Sequence, residues 1–108
     1  MAIRGYHAHI YFDPEEVEHA RTVAEAARAA IGCPVGHFHT APVGPHPRGS
    51  VQLSLRPDQF AQFATWASEG RDGLTVFAHG LSGDDLADHL RYVVWFGTSE
   101  PLDLSIFG

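Results

Sequence analysis

Histidine is the residue type whose number and spacing in this chain first suggest chemistry. The 108 residues include eight histidines against seven lysines plus arginines. In "GYHAHIYFDP", His7, His9 and Tyr11 occupy alternate positions. Side chains of a strand alternate between its two faces, so these three share one face and the apolar residues between them share the other. Because neutral imidazoles bind transition metals and transfer protons, we interpret the first face as a binding face and the second as core.

A second pair of histidines repeats this spacing. His37 and His39 in "GHFHT" would lie on one face of a short strand. His46 stands between two prolines in "GPHP", which restrict its backbone. A rigid loop suits a metal ligand, although a solvated loop histidine fits the same sequence. Two such pairs in a short chain indicate that several imidazoles meet on one sheet face, and the sequence leaves the strand register open.

The remaining histidines have separate interpretations. His79 ends a predicted strand beside a glycine turn, a position where sites tend to form. His89 falls in a predicted helix with Asp85 one turn earlier. Three interpretations of His89 stay open: a core histidine paired with that carboxylate, a residue that supports the site, or an acid or base. His19 lies among charged residues of a predicted helix, so we interpret it as a solvated surface residue.

The elements that must position these histidines follow from periodicity and from helix-end signals. The predictions are strands over residues 3–12, 35–39, 50–56 and 74–79, and helices over 14–31, 57–70 and 84–97. This order is β-α-β-β-α-β with an additional C-terminal helix, which is typical of a ferredoxin-like α+β sandwich. In that fold both helices cover one face of the sheet. The other face is free for a site, for the additional helix or for a partner.

Length, composition and charge restrict the function classes. A chain of 108 residues with 44% hydrophobic and 19% charged residues suits one globular domain over residues 1–108. A net charge of -6 argues against nucleic acid or an anionic membrane as the main partner. The sequence lacks an apolar run of membrane-spanning length and a signal-like start, and it contains a single cysteine, so we expect a cytoplasmic protein. The free sheet face and the leucines of the tail, Leu102 and Leu104, favour a homodimer.

Four segments resemble one known family. "HAHIYFDP", "GHFHTAPVGPHPRGSVQLSL", "FAHGLSGDDLADH" and "WFG..EPLDL" are similar to the DOPA 4,5-dioxygenase family, in the same order and over nearly the whole chain. The resemblance implies extradiol cleavage of a catechol, such as DOPA, caffeate or a similar substituted catechol, by O2. It also implies a ferredoxin-like fold and a non-haem Fe(II), with zinc or copper as metals that could occupy the site as isolated.

The resemblance also implies roles for individual residues. His9, His46 and His79 are predicted to hold the metal, and His39 and His89 to act as base or acid beside it. Further candidates for a ligand or substrate contact are His7, Tyr11 and His37. A carboxylate ligand stays open. Gly80 and Ser82 depart from the Pro and Thr that the family commonly has at these positions, which affects the expected substrate preference.

Two other functions fit the same histidines. One is a metal-binding or small-molecule-binding module that has the fold without catalysis, and it would consume no oxygen with a catechol. The other is a ferredoxin-like interaction domain that dimerises through its open sheet face. Its histidines would be dispersed, and a chelator would leave its stability unchanged.

Overall fold

The computed structural model describes residues 3–108 and contains one four-stranded antiparallel sheet. The sheet order is β2-β1-β3-β4. The strands are β1 Tyr6–Phe12, β2 Gly49–Leu55, β3 Val76–Gly80 and β4 Val93–Phe96, and the helices are α1 Val17–Ile31, α2 Phe60–Gly70 and α3 Asp85–Leu90. This architecture confirms the predicted α+β, ferredoxin-like class, in which the two long helices follow β1 and β2.

One face of the sheet forms the core with α1 and α2. On β1, Ala8, Ile10 and Phe12 are fully buried, as the alternation predicts. Helix α1 approaches the sheet closely because it presents small buried residues, Ala20, Ala24 and Ala27. Burying apolar surface contributes about 25 cal/mol per Å². This face therefore supplies much of the stability that holds β1 in place.

The ends of α1 follow local sequence signals. The backbone N–H of Asp13 donates to the carboxylate of Glu16 at 2.9 Å, and a short 3-10 turn, Pro14–Glu16, leads into the helix. Gly32 ends it with a φ of 82°, a left-handed conformation that glycine adopts without strain. Within residues 3–108, none of the helices is long and apolar enough to cross a membrane.

The third helix is shorter than predicted. The sequence predicts a helix over residues 84–97, whereas α3 ends at Leu90 and β4 follows it. Val93 and Trp95 in β4 belong to the residue types that favour strands, and β4 pairs with the free edge of β3. Pairing with the sheet outweighs the helical spacing of the apolar residues. The predicted C-terminal helix is therefore replaced by a short helix, α3, followed by an edge strand, β4.

The predicted strand over residues 35–39 is also corrected. This segment forms two isolated bridges to β2, one between Val35 and Leu53 and one between His39 and Ser50. Pro34 lacks an amide donor, and prolines and glycines flank the whole segment, so a continuous ladder does not form. The segment runs beside β2 as an irregular edge.

The C-terminal tail is attached to the proline-rich loop. Glu100 accepts two hydrogen bonds from the Arg48 guanidinium, at 3.0 and 2.8 Å. The backbone N–H of Asp103 donates to the carbonyl of Pro45 at 2.9 Å. A final 3-10 turn, Leu104–Phe107, then ends close to the open face of the sheet. The loop that carries His46 and the tail are thus held together.

Candidate metal centre

Two neighbouring strands bring histidines together on the face of the sheet that α1 and α2 leave free. β1 carries His7 and His9, and β3 carries His79. In the antiparallel register, His7 lies opposite His79, and His9 lies opposite Phe77. Residues directly opposite each other point to the same face of a sheet. The pairing of β1 with β3 therefore places His7, His9 and His79 on one face of the sheet.

Three histidines, His7, His9 and His79, form a cluster that could hold a metal ion, called here the His triad. One ring nitrogen from each lies within 4.8 Å of the others. The Nε2 atoms of His9 and His79 are 3.2 Å apart. Two nitrogens that each lie about 2.0–2.1 Å from one ion are separated by about 2.9–3.4 Å at octahedral to tetrahedral angles. The observed spacing therefore fits two ligands of a shared ion.

The backbone fixes one of these imidazoles. Nδ1 of His79 lies 3.1 Å from the carbonyl oxygen of Gly80. A carbonyl only accepts hydrogen bonds, so Nδ1 carries the proton and Nε2 retains its lone pair. This is the tautomer that a metal ligand needs, and the Gly80 carbonyl also orients the ring.

The surroundings of the His triad favour neutral imidazoles. Burial, followed by the neighbouring His46 and His79, lowers the pKa of His9 well below 6.5. Burial lowers the pKa of His79 to about 4, and it also lowers the pKa of His7. Protonated imidazoles cannot bind a metal, so a neutral set near pH 7 is the form with lone pairs available.

Tyr11 and His46 form a buried pair beside the His triad. The Tyr11 hydroxyl lies 2.7 Å from Nδ1 of His46, and the ring of His46 lies 4.1 Å from that of His9. Burial raises the pKa of Tyr11, which keeps the hydroxyl protonated. Burial lowers the pKa of His46 to about 4. His46, predicted from the resemblance as a ligand, thus lies next to the cluster while its Nδ1 is bonded to Tyr11.

His89 lies against the His triad from the side of α3. Its ring is 4.1 Å from the ring of His79. Its Nδ1 lies 2.7 Å from the backbone carbonyl oxygen of Asp85, so Nδ1–H donates and Nε2 is free to accept a proton. Of the three interpretations of His89, the pairing with the Asp85 carboxylate is replaced by this bond to the backbone. The other two interpretations, a residue that supports the site and an acid or base, both require His89 to lie in the site. The structure places it there.

Two cavities meet at His9 and His46. One has a volume of about 230 Å³ and is lined by the whole His triad together with His46 and His89; it is called here the triad cavity. The other, of about 250 Å³, is lined by His37 and His39 in addition to His9 and His46. The structure therefore gathers five of the predicted site histidines around the triad cavity. It places the other two in the adjoining cavity.

Comparisons with known proteins identify the family and the fold. The model of the Dopa 4,5-dioxygenase family matches residues 6–106. The chain belongs to the Dopa 4,5-dioxygenase family. A DOPA 4,5-dioxygenase of Amanita muscaria is 28% identical over an alignment of 112 positions, which covers 95% of this chain and 49% of that protein. The chain thus spans about half the length of this relative.

A crystal structure of a second similar protein covers nearly the same length. It is described as a "putative dioxygenase" from Nostoc punctiforme and is 35% identical to this chain. The two structures superpose with a TM-score of 0.91, over 97% of this chain and 90% of the other. This chain and the Nostoc punctiforme protein therefore share one fold along almost their entire lengths.

In this member of the Dopa 4,5-dioxygenase family, Asp88 is a site residue that the sequence analysis did not identify. The residue is 1% exposed, and its carboxylate accepts hydrogen bonds from the backbone N–H of Ser82, at 3.1 Å to each oxygen, and from the Ser82 hydroxyl. Its negative charge also opposes the lowering of the pKa of His7 and His79. Nothing in the sequence separates Asp88 from Asp84 and Asp85, because only packing decides which of the three faces inward.

Phe107 is the second residue that the sequence analysis missed. It lines the triad cavity, and its ring lies 4.6 Å from that of His89. The tail is too short for a periodic signal, and its attachment depends on contacts with a distant loop. Sequence pattern alone therefore had no means to place this ring.

Proposed function

We propose that this protein is an extradiol ring-cleaving dioxygenase that acts on a catechol with O2 and a non-haem Fe(II). The observation that carries the proposal is the His triad, three neutral imidazoles on one sheet face of a Dopa 4,5-dioxygenase family member. DOPA, caffeate and similar substituted catechols are the proposed substrates. The reaction class comes from the family, and the triad offers imidazole nitrogens, which are donors that iron accepts.

His7, His9 and His79 are the proposed ligands. Imidazole nitrogen suits iron, and it suits zinc or copper as well, so either could occupy the site in isolated protein. Bound Fe(II) would supply a Lewis acid and a common binding point for catecholate and oxygen. His46 is the next candidate, through Nε2, with Nδ1–H donating to the Tyr11 hydroxyl. The bond from His79 to Gly80 and the bond between His46 and Tyr11 hold the rings in place before any ligand binds.

His89 is the proposed base and acid. Its Nδ1–H is held by the Asp85 carbonyl, and its free Nε2 can take a proton from a catechol hydroxyl and later return it. Because His89 lines the triad cavity, a substrate hydroxyl in that cavity comes within its reach. His39 lines the adjoining cavity and stays a prediction as the second acid or base. His37 is exposed and stays a candidate for contact with a substrate substituent that enters this second cavity.

The first experiment measures oxygen uptake. The protein is loaded with Fe(II) without air, and air-saturated DOPA, caffeate or catechol is added while oxygen and the visible spectrum are recorded. We expect oxygen loss together with a new absorbing product, and the relative rates rank the substrates. Protein that holds one iron per chain and takes up no oxygen with any of them would contradict the proposal and favour a non-catalytic binding module.

The homodimer also stays a proposal. Several large apolar side chains are exposed near α3, β4 and the tail, and these are Leu86, Leu90, Val94 and Ile106. A second copy is one partner that could cover them. Sedimentation equilibrium tests this directly, since a monomer at micromolar concentration would contradict it.

A further inference from the structure

A stack of aromatic rings leads from the His triad to the outer wall of the site. The rings of His79 and His89 are 4.1 Å apart at an interplanar angle of 38°, and those of His89 and Phe107 are 4.6 Å apart at 32°. Phe107 is half-buried and is the last ring of this stack. It also lines the same cavity as the three triad histidines. A ligand in the triad cavity therefore meets Phe107.

Hydrogen bonds of the C-terminal tail fix the position of Phe107. Arg48 holds Glu100 with two hydrogen bonds and also reaches Asp13 at 3.2 Å, at the start of the turn that leads into α1. Asp103 adds the bond from its N–H to Pro45, and its carboxylate accepts from the N–H of Ser105 at 3.1 Å. These contacts anchor the turn that carries Phe107 on the loop that carries His46.

The remaining walls of the triad cavity show what chemistry fits beside Phe107. Pro45 and Leu81 are apolar, and the histidine rings present flat faces. Gln52 and Asp85 add polar groups that can face the hydroxyls of a ligand. Such a space takes a planar aromatic ring, which gains from edge or face contact with a phenyl group. It takes a bulky, branched substituent poorly, since Phe107 forms one wall and the tail that carries it is held by the Arg48 to Glu100 contacts and the Asp103 to Pro45 bond.

We infer that Phe107 is a specificity-determining residue that contacts the aromatic ring of the substrate and selects catechols with small or planar substituents. This inference rests on the proposed function, because it takes the ligand of the triad cavity to be a catechol. Phe107 has no role in holding the metal, so its replacement changes catechol binding and leaves metal content unchanged.

The test measures binding as well as turnover. Iron-loaded protein is titrated without oxygen with 4-nitrocatechol, whose absorption reports binding, and 4-tert-butylcatechol competes with it. We expect Phe107→Ala to weaken 4-nitrocatechol binding about tenfold. In the same variant we expect a smaller ratio between the affinities for 4-nitrocatechol and for the branched 4-tert-butylcatechol. With oxygen present, we expect the KM of Phe107→Ala for its catechol substrate to rise by a larger factor than its kcat falls.

Four variants separate a direct contact of Phe107 with the catechol from a general effect on the tail. Phe107→Tyr keeps the ring and is expected to bind like the wild type, and Phe107→Leu keeps apolar volume without the ring and is expected to bind more weakly. Ile106→Ala changes the neighbouring residue, which is 51% exposed and does not line the triad cavity, so it should weaken 4-nitrocatechol binding much less than Phe107→Ala does. Glu100→Gln weakens the anchor and should lower discrimination between the two catechols.

The outcomes distinguish this inference from the proposed function. Wild-type protein that consumes oxygen, with equal 4-nitrocatechol affinity in Phe107→Ala and the wild type, overturns the inference alone. Loss of iron in Phe107→Ala, or equal weakening by Ile106→Ala, also overturns it, because the residue would then act through the fold. Iron-loaded wild type that binds no catechol and consumes no oxygen overturns both.

Discussion

The two faces of the sheet are built from alternate residues of the same strands, yet burial has opposite consequences on them. On the helix-covered face, Ile10 is fully buried among apolar neighbours and contributes stability. On the histidine face, His9 is 5% exposed and His79 3% exposed, and burial disfavours their charged forms. One face therefore stabilises the protein, and the other keeps reactive groups neutral at a cost in stability. The following predictions test this division.

The largest effect is expected from removing one histidine of the triad. His9→Ala should abolish stoichiometric metal binding and reduce oxygen uptake by more than about a hundredfold, because even partners of metal ligands cost 10- to 100-fold when removed. Metal analysis and oxygen uptake on the same sample check this. The matched control is His19→Ala, which removes an exposed histidine bonded to Asp72 and should keep metal and activity. A metal-replete, active His9→Ala protein would remove His9 from the ligand set.

On the other face of β1, we expect a substitution to lower stability and to leave metal binding unchanged. Ile10→Ala is expected to lower the free energy of unfolding by about 2–5 kcal/mol, because it leaves a cavity among buried residues. Urea denaturation measures this change, and the metal content of the folded fraction should stay at the wild-type value. The milder Ile10→Val should cost about 0.5–1.5 kcal/mol. Loss of metal at unchanged stability would show that the two faces do not act separately.

A smaller effect is expected from one hydroxyl. Tyr11→Phe removes the partner of His46 Nδ1 in a buried pair, and an unsatisfied buried group costs about 1–3 kcal/mol. The matched control is Tyr6→Phe, the same change on the helix-covered face, where the ring stacks on Phe60 at 4.3 Å. Urea denaturation compares the two variants. Equal losses from both would contradict a specific role of the Tyr11 to His46 bond.

The smallest effect concerns pH. His46 and His79 have pKa values lowered from 6.5 to about 4 in the folded protein. Between these values the unfolded chain binds protons that the folded protein does not, so stability is highest above pH 6.5 and falls as the pH drops toward 4. For metal-free protein we expect a loss of about 1 kcal/mol per histidine between pH 7 and pH 5.5. Urea denaturation at both pH values tests the direction, and constant stability would show that burial does not disfavour the charged rings.

The predictions from sequence were most accurate where the physics is local. The alternation around His7 and His9 predicted both faces of β1, and Asp13, Glu16 and Gly32 predicted the ends of α1. The prediction of one helix over residues 84–97 was wrong. There the local pattern competed with a sheet edge, and pairing with β3 won.

The residues that could do the chemistry were predictable from the sequence, because residue type, spacing along a strand and helix-end signals act within a few positions. Which of these residues contact one another depends on the three-dimensional fold. The β1 and β3 register places His7 opposite His79. A distant loop brings His46 to Tyr11, and the anchored tail brings Phe107 to His89. These contacts join parts of the chain that lie far apart in sequence, so they depend on packing and pairing that no short stretch of residues encodes.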